Sequence, residues 1–200
     1  MIKIEHMLKL KNKYFILRHG ENNYQVEKGD FIYPAVDTPS VRLTKRGVKQ
    51  IEKVAKELKK ESISLIYSSD FFRTRQTAEI MAKESGIKKI NFDKRLRDIN
   101  LGIYHGKAKK EFYKFVSYKN RKFSTKPPKG ESWNDVKKRV VDFIQDIDKK
   151  YENRSILIVS HGDPLWLLEG AVKGLSVKKY LSQVFINKDY IKVGELRKIN

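Results

Sequence analysis

Four short apolar runs punctuate a chain otherwise dense in charge. They cover residues 14–17 (YFIL), 63–67 (ISLIY), 89–92 (KINF) and 156–160 (ILIVS). Brief runs of this kind, bounded by turn residues, predict buried strands. Between them the apolar spacing changes to every third or fourth residue. Ile51, Val54, Ala55 and Leu58 share one helical face behind Thr44, a capping residue. A second helix is expected over 70–84, capped by Ser69, with Asp70 complementing its positive end and Gly86 stopping it. Ser132 and Asp135 resemble a capping box for a helix carrying Val136, Val140, Phe143 and Ile147 to about Tyr151. Another helix is expected near Pro164, which suits a first turn. Residues 185–186 and 191–193 suggest a closing strand or hairpin.

Residues 100–130 break the pattern. They combine Gly102, Gly106, Pro127 and Pro128 with many lysines and aromatics. An excursion from the core is expected there, with a short helix over 109–118. Elsewhere strands alternate with helices, which predicts an α/β fold: a three-layer α/β/α sandwich around a mostly parallel sheet. Residues 1–200 read as a single domain, with no repeat and no dividing linker.

Composition narrows the function classes. An apolar fraction of 40% supports a real core. The absence of cysteine removes thiol catalysis, disulfides and Cys-based zinc sites. No signal-peptide pattern opens the chain, and no run approaches the roughly 20 apolar residues of a membrane span. A cytoplasmic protein without membrane contact is the expectation. Lys+Arg 44 against Asp+Glu 24 gives a formal charge of +20, a field that attracts anions. Most lysines sit at polar positions of helical patterns, however, and no nucleic-acid-binding motif accompanies them. Nucleic acid is therefore not the expected partner.

The candidate chemistry lies at the strand ends. The first run stops at Arg18-His19-Gly20, and the last at Ser160-His161-Gly162. In parallel sheets, ligands bind outside the carboxyl ends of the strands, so residues far apart in sequence can share a pocket there. Arg18, His19, Arg73, His161 and Asp98 are the candidates. Arginine presents a planar fork matched to phosphate oxygens. A neutral imidazole is nucleophilic near neutral pH, and neighbouring guanidinium groups help keep it neutral. A nucleophilic histidine would divide one hard displacement into two easier ones. A metallohydrolase would need more His or Asp ligands than these strand ends supply, so neither metal nor cofactor is expected. Spacing alone does not choose His19 or His161 as the nucleophile.

Several ordered blocks resemble the histidine phosphatase superfamily, the phosphoglycerate-mutase-like proteins. They are Arg18-His19-Gly20-Glu21; Leu43-Thr44 with Gly47 and Gln50; Ser68-Ser69-Asp70-Phe71-Phe72-Arg73-Thr74-Arg75-Gln76-Thr77-Ala78; Leu96-Arg97-Asp98 with Gly102 and Gly106; Gly130-Glu131-Ser132; and Val159-Ser160-His161-Gly162. The resemblance spans about residues 14–165. It implies that His19 is the nucleophile that becomes phosphohistidine. It implies that Arg18, Arg73 and His161 bind the phosphoryl oxygens, with Gln25 a further hydrogen-bonding candidate where asparagine is common. Asp98 stands where the family usually carries a glutamate as proton donor; Glu21 and Asp163 are alternative acids. Asp70 replaces a common proline. The mutase-type block Glu-Arg-His-Tyr-Gly is replaced by Asn100-Leu101-Gly102-Ile103-Tyr104-His105-Gly106, which favours a phosphatase acting on a small phosphorylated substrate. Excursions at 100–130 often cover the pocket in this family, so a basic, aromatic lid is expected there. Such a lid would favour substrates with a second anionic group or a ring to stack on.

Overall fold

The computed structural model describes residues 7–116 and 123–200. In chain order the strands and helices are β1 (Lys13–Arg18), α1 (Asn23–Glu27), α2 (Lys45–Leu58), β2 (Leu65–Ser68), α3 (Phe72–Ser85), β3 (Ile90–Phe92), α4 (Lys109–Phe115), α5 (Trp133–Lys150), β4 (Ser155–Ser160), α6 (Gly162–Val172), α7 (Val177–Phe185) and β5 (Leu196–Lys198). The sheet runs β3-β2-β4-β1-β5. Four strands are parallel, and β5 lies antiparallel on β1. β1 and β4 pair from Lys13↔Ser155 to Arg18↔Ser160, so both histidines emerge side by side at one edge.

Strand periodicity builds the three layers. Side chains alternate across a strand, and here both faces are covered, as parallel sheets require. Tyr14, Ile16, Ile156 and Ile158 face a core shared with Val140, Phe143, Leu165 and Trp166 of α5 and α6. Phe15, Leu17, Leu157 and Val159 face a second core with Ile51 and Leu58 of α2 and Ala78 and Met81 of α3. Each such buried side chain contributes about 1.5–3 kcal/mol relative to exposure. The expected sandwich is therefore present. No helix among the described residues is long and apolar enough to cross a membrane.

Three local expectations are corrected. First, α3 begins at Phe72, with Phe71 at the cap position and no side-chain cap of its own. Asp37, from the loop before α2, accepts the Phe72 N–H at 2.6 Å instead. Asp70 precedes the helix and takes both Nε and Nη2 of Arg97 at 2.6 Å. Second, residues 191–193 form no strand, and residue 185 ends α7. The strand lies at β5, after a turn at Gly194 with φ +68°. Third, Phe112 and Phe123 of the 100–130 excursion are buried rather than free for stacking, whereas Tyr113 and Phe115 are exposed. Phe112 packs with Ile32 and Val116. Phe123 sits in the main core, 5.3 Å from Trp133 and 5.5 Å from Tyr180 between ring centroids. α4 ends at Phe115. Tyr118, Lys119, Arg121 and Lys122 lie outside the described residues.

Residues 191–200 fold back along β1. Gly194 N–H donates to the His19 carbonyl at 3.0 Å, and Tyr14 N–H to Asn200 Oδ1 at 2.9 Å.

Candidate active site

His19 follows β1 directly and is 1% exposed. Its backbone N–H donates to Ser160 O at 3.1 Å, locking it to β4. Its Nδ1 lies 2.9 Å from Gly20 O. A carbonyl only accepts, so Nδ1 carries the proton and Nε2 holds a lone pair. Gly20 suits this turn, because a Cβ there would lie 2.9 Å from Ile51 Cγ1 and 3.0 Å from Gly47 O.

His161 follows β4 at the N-cap of α6, its ring centroid 5.4 Å from that of His19. Arg73 Nη2, an obligate donor, lies 3.0 Å from His161 Nδ1. Nδ1 therefore accepts, and Nε2–H donates to Ser69 Oγ at 2.9 Å. Burial depresses both imidazoles well below the ordinary histidine value, with Arg73 and Arg18 adding to the effect. Both rings are accordingly neutral at neutral pH.

Arg73 projects from the first turn of α3. Besides His161, its Nη2 reaches Asp98 Oδ2 at 3.1 Å. The Tyr33 ring lies under the guanidinium at 4.2 Å. Arg18 donates from Nη1 to Ile191 O at 2.9 Å, with the Tyr190 ring 5.6 Å away. Arg18 Nε and Arg73 Nε are buried without a hydrogen-bond partner among the described residues. Buried unpaired donors are costly, and an anion between the two arginines would answer both.

Asp98 accepts the Ile99 N–H at 3.0 Å and stands 3.7 Å from His161 Nδ1. Burial pushes its carboxyl up, against the pull of Arg73, while the charge of Asp163 pushes the same way as burial. The alternative acids are otherwise engaged. Glu21 is held below the ordinary carboxylate range by Arg46, with Thr44 Oγ1 donating at 2.7 Å. Asp163 accepts from Tyr190 OH at 2.8 Å and Trp133 Nε1 at 3.3 Å. Gln25 completes the capping box of α1, its Oε1 accepting from Asn22 Nδ2 at 2.9 Å. Glu21 and Gln25 line a separate depression with Arg46 and Gln50.

The structure thus gathers Arg18, His19, Arg73, Asp98 and His161, and leaves Glu21 and Gln25 apart. Tyr33, Asp37 and Tyr190 join the group without having been anticipated. No local pattern marks them, because each arrives from a loop. A cavity of about 440 Å³ opens beside Arg73 and Asp98, walled by Tyr33, Phe71, Arg97 and Arg139 among others. Among the described residues, no group of three or more His, Cys, Asp or Glu side chains is placed to hold a metal ion.

Two neutral histidines and two arginines with unpaired donors, set at the carboxyl ends of parallel strands, define an α/β protein equipped to meet a phosphoryl group. The family model of the histidine phosphatase superfamily (branch 1) matches residues 14–191, and the chain belongs to that superfamily. Phosphoserine phosphatase 1 of Hydrogenobacter thermophilus is 29% identical over 89% of this chain and 84% of its own. The Escherichia coli protein named "Probable phosphoglycerate mutase GpmB" is 32% identical over 80% of this chain and 74% of its own. Among solved structures, Bacillus stearothermophilus YhfR superimposes with a TM-score of 0.74 at 28% identity, covering 92% of this chain and 89% of that one. A mycobacterial glucosyl-3-phosphoglycerate phosphatase shares the fold, with a TM-score of 0.78 at 23% identity, over 93% of this chain and 88% of its own.

Proposed function

We propose that this protein is a phosphomonoester hydrolase that works through a phosphohistidine on His19. The observation that carries the reading is the His19 tautomer: Nδ1–H is fixed on Gly20 O, and Nε2 is free beside Arg73. In this scheme Nε2 attacks phosphorus while the ester oxygen departs on the opposite side. Arg18 and Arg73 hold the equatorial oxygens. As the dianion arrives, Arg73 Nη2 turns from His161 Nδ1 to the phosphoryl group, and His161 takes a proton from solvent at Nδ1 and donates it in a hydrogen bond to a phosphoryl oxygen. Protonated Asp98 gives its proton to the departing alkoxide, and the resulting carboxylate takes one from the water that cleaves the P–N bond. His19 and Asp98 return to their starting states. A single domain carries the reaction in this reading, with Asn100, Leu101 and His105 lining the cavity.

Water rather than a substrate hydroxyl is assigned as the final acceptor. The similarity to a phosphoserine phosphatase over 84% of that protein supports this, as does the Asn100–Gly106 segment described above. The similarity to a protein named as a mutase favours transfer to a hydroxyl. Release of inorganic phosphate from 3-phosphoglycerate, against its isomerisation, separates the two.

The test is intact-protein mass after rapid quenching in alkaline denaturant during turnover of a phosphomonoester, with chelator present. A phosphoryl adduct on the wild type, absent from His19→Ala, is the expected result. Turnover that chelator abolishes, or an adduct surviving in the variant, would overturn the assignment.

A further inference from the structure

The cavity beside Arg73 and Asp98 differs in character from the rest of this basic chain. Most of its wall is apolar: Ile32, Pro34, Val36, Val41, Phe71 and Leu101 all line it. Its guanidinium groups are already matched. Arg97 is held bidentately by Asp70 at 2.6 Å on both nitrogens. Arg139 places Nε and Nη2 on Glu131 at 2.9 and 3.1 Å, and further donates to Arg95 O and Asp98 O. Arg73 belongs to the phosphoryl end, with Asp98. What remains is the exposed Lys94, against Asp37, whose carboxylate is on the Phe72 N–H.

Apart from the exposed Lys94, a second anionic group on the substrate would thus meet no cation of the cavity wall without a carboxylate partner. Drawing Arg97 or Arg139 away would strip Asp70 or Glu131 of its partner, and leaving a charge unpaired is expensive. An apolar group meets the opposite situation. It covers Val36, which is 71% exposed, and Phe71, and it leaves the Arg97–Asp70 and Arg139–Glu131 pairs intact. The volume of about 440 Å³ falls in the range of small-molecule sites.

We propose that this cavity receives the leaving group of the substrate, and that this group is a predominantly apolar alcohol bearing no second phosphate or carboxylate. The proposal rests on the hydrolase reading for the words "leaving group", but its binding claim stands on the cavity alone. It departs from the reading of a basic lid that favours a second anionic group. Phe112 and Phe123 of the excursion are buried, and Arg97 and Arg139 of the cavity wall are each paired with a carboxylate although the chain carries +20. It also predicts a preference unlike that of the phosphoserine phosphatase relative, whose named substrate carries a carboxylate and an ammonium group.

The test compares non-hydrolysable probes of matched phosphonate charge on the wild-type protein. Titration calorimetry at one pH and salt concentration would measure hexylphosphonate against 3-phosphonopropionate. At least tenfold tighter binding of hexylphosphonate is expected. Val36→Lys, at an exposed loop position that tolerates the change, should narrow the ratio at least threefold. Equal or tighter binding of 3-phosphonopropionate to the wild type, or no binding of hexylphosphonate, would overturn the proposal. A parallel assay keeps the two readings separate, using hexyl phosphate and 3-phosphoglycerate, both esters of alkyl alcohols. Selective hexylphosphonate binding without hydrolysis of hexyl phosphate would sink the hydrolase reading and uphold the cavity's ligand class.

Discussion

At the residue scale, the site depends on proton placement. His19 must be neutral to attack, and Asp98 must be protonated to assist departure. Burial lowers the histidine and raises the aspartic acid. Acidification therefore removes activity only below the ordinary histidine range, as His19 takes up a proton. Raising the pH removes it as Asp98 ionises, at a pH above the usual aspartate value. The expected kcat/KM profile is a bell whose alkaline limb belongs to Asp98. Asp98→Asn should lower kcat on an alkyl phosphate by roughly 10²–10⁴-fold and abolish that limb. An aryl phosphate, whose leaving group needs less protonation, should suffer less. A comparable loss on both esters would assign Asp98 to binding instead. These residues were legible in the sequence because arginine, histidine and glycine cluster at strand ends. Their tautomers were not, since Gly20 O and Arg73 fix them only in three dimensions.

At the element scale, legibility followed locality. The strands, the helix after Thr44 and the helix after Ser132 were readable because cap and apolar stripe are contiguous. Thr44 and Ser132 accept the N–H groups of Gly47 and Asp135, as their positions suggested. Ser132→Ala should destabilise the protein by about 1 kcal/mol, read from the denaturant midpoint. The start of α3 was not readable, because its first N–H is satisfied by Asp37, 35 residues earlier. Asp37→Ala should cost about 1 kcal/mol by the same measurement. It should also raise KM, since Asp37 stands 4.0 Å from Arg73 Nη1 on the turn that presents this arginine. An unchanged midpoint would show that water replaces the cap. α7 is a different case. Val177, Tyr180, Leu181 and Val184 carry helical spacing behind the cap Ser176. That signal lay in the sequence, but the expectation of a strand or hairpin at 185–186 and 191–193 passed over it.

At the scale of the whole molecule, the buried histidines couple function to stability. Their folded-state pKa values are depressed, so the unfolded chain binds more protons as pH falls below about 6.5. Stability is then lost on acidification, by up to about 1.4 kcal/mol per pH unit for each ring. Urea unfolding at pH 7 and pH 5.5 should show the decline, and His161→Gln should reduce its slope. An unaltered slope would mean that His161 already titrates normally. The net charge is a property of the surface at this scale. It did not predict the chemistry of the cavity, where carboxylates offset the arginines.

The return of residues 191–200 along β1 has a consequence for how the protein is made. β1 leads into His19 and is translated well before its two neighbours in the sheet, β4 and β5. The carbonyls of His19 and Arg18's anchor at Ile191 find their partners only when those residues exist. The growing chain thus carries His19 without its sheet partners until β4 and β5 have been made. Stalled nascent chains ending before residue 155 should remain open to limited proteolysis at β1, whereas full-length chains should resist it.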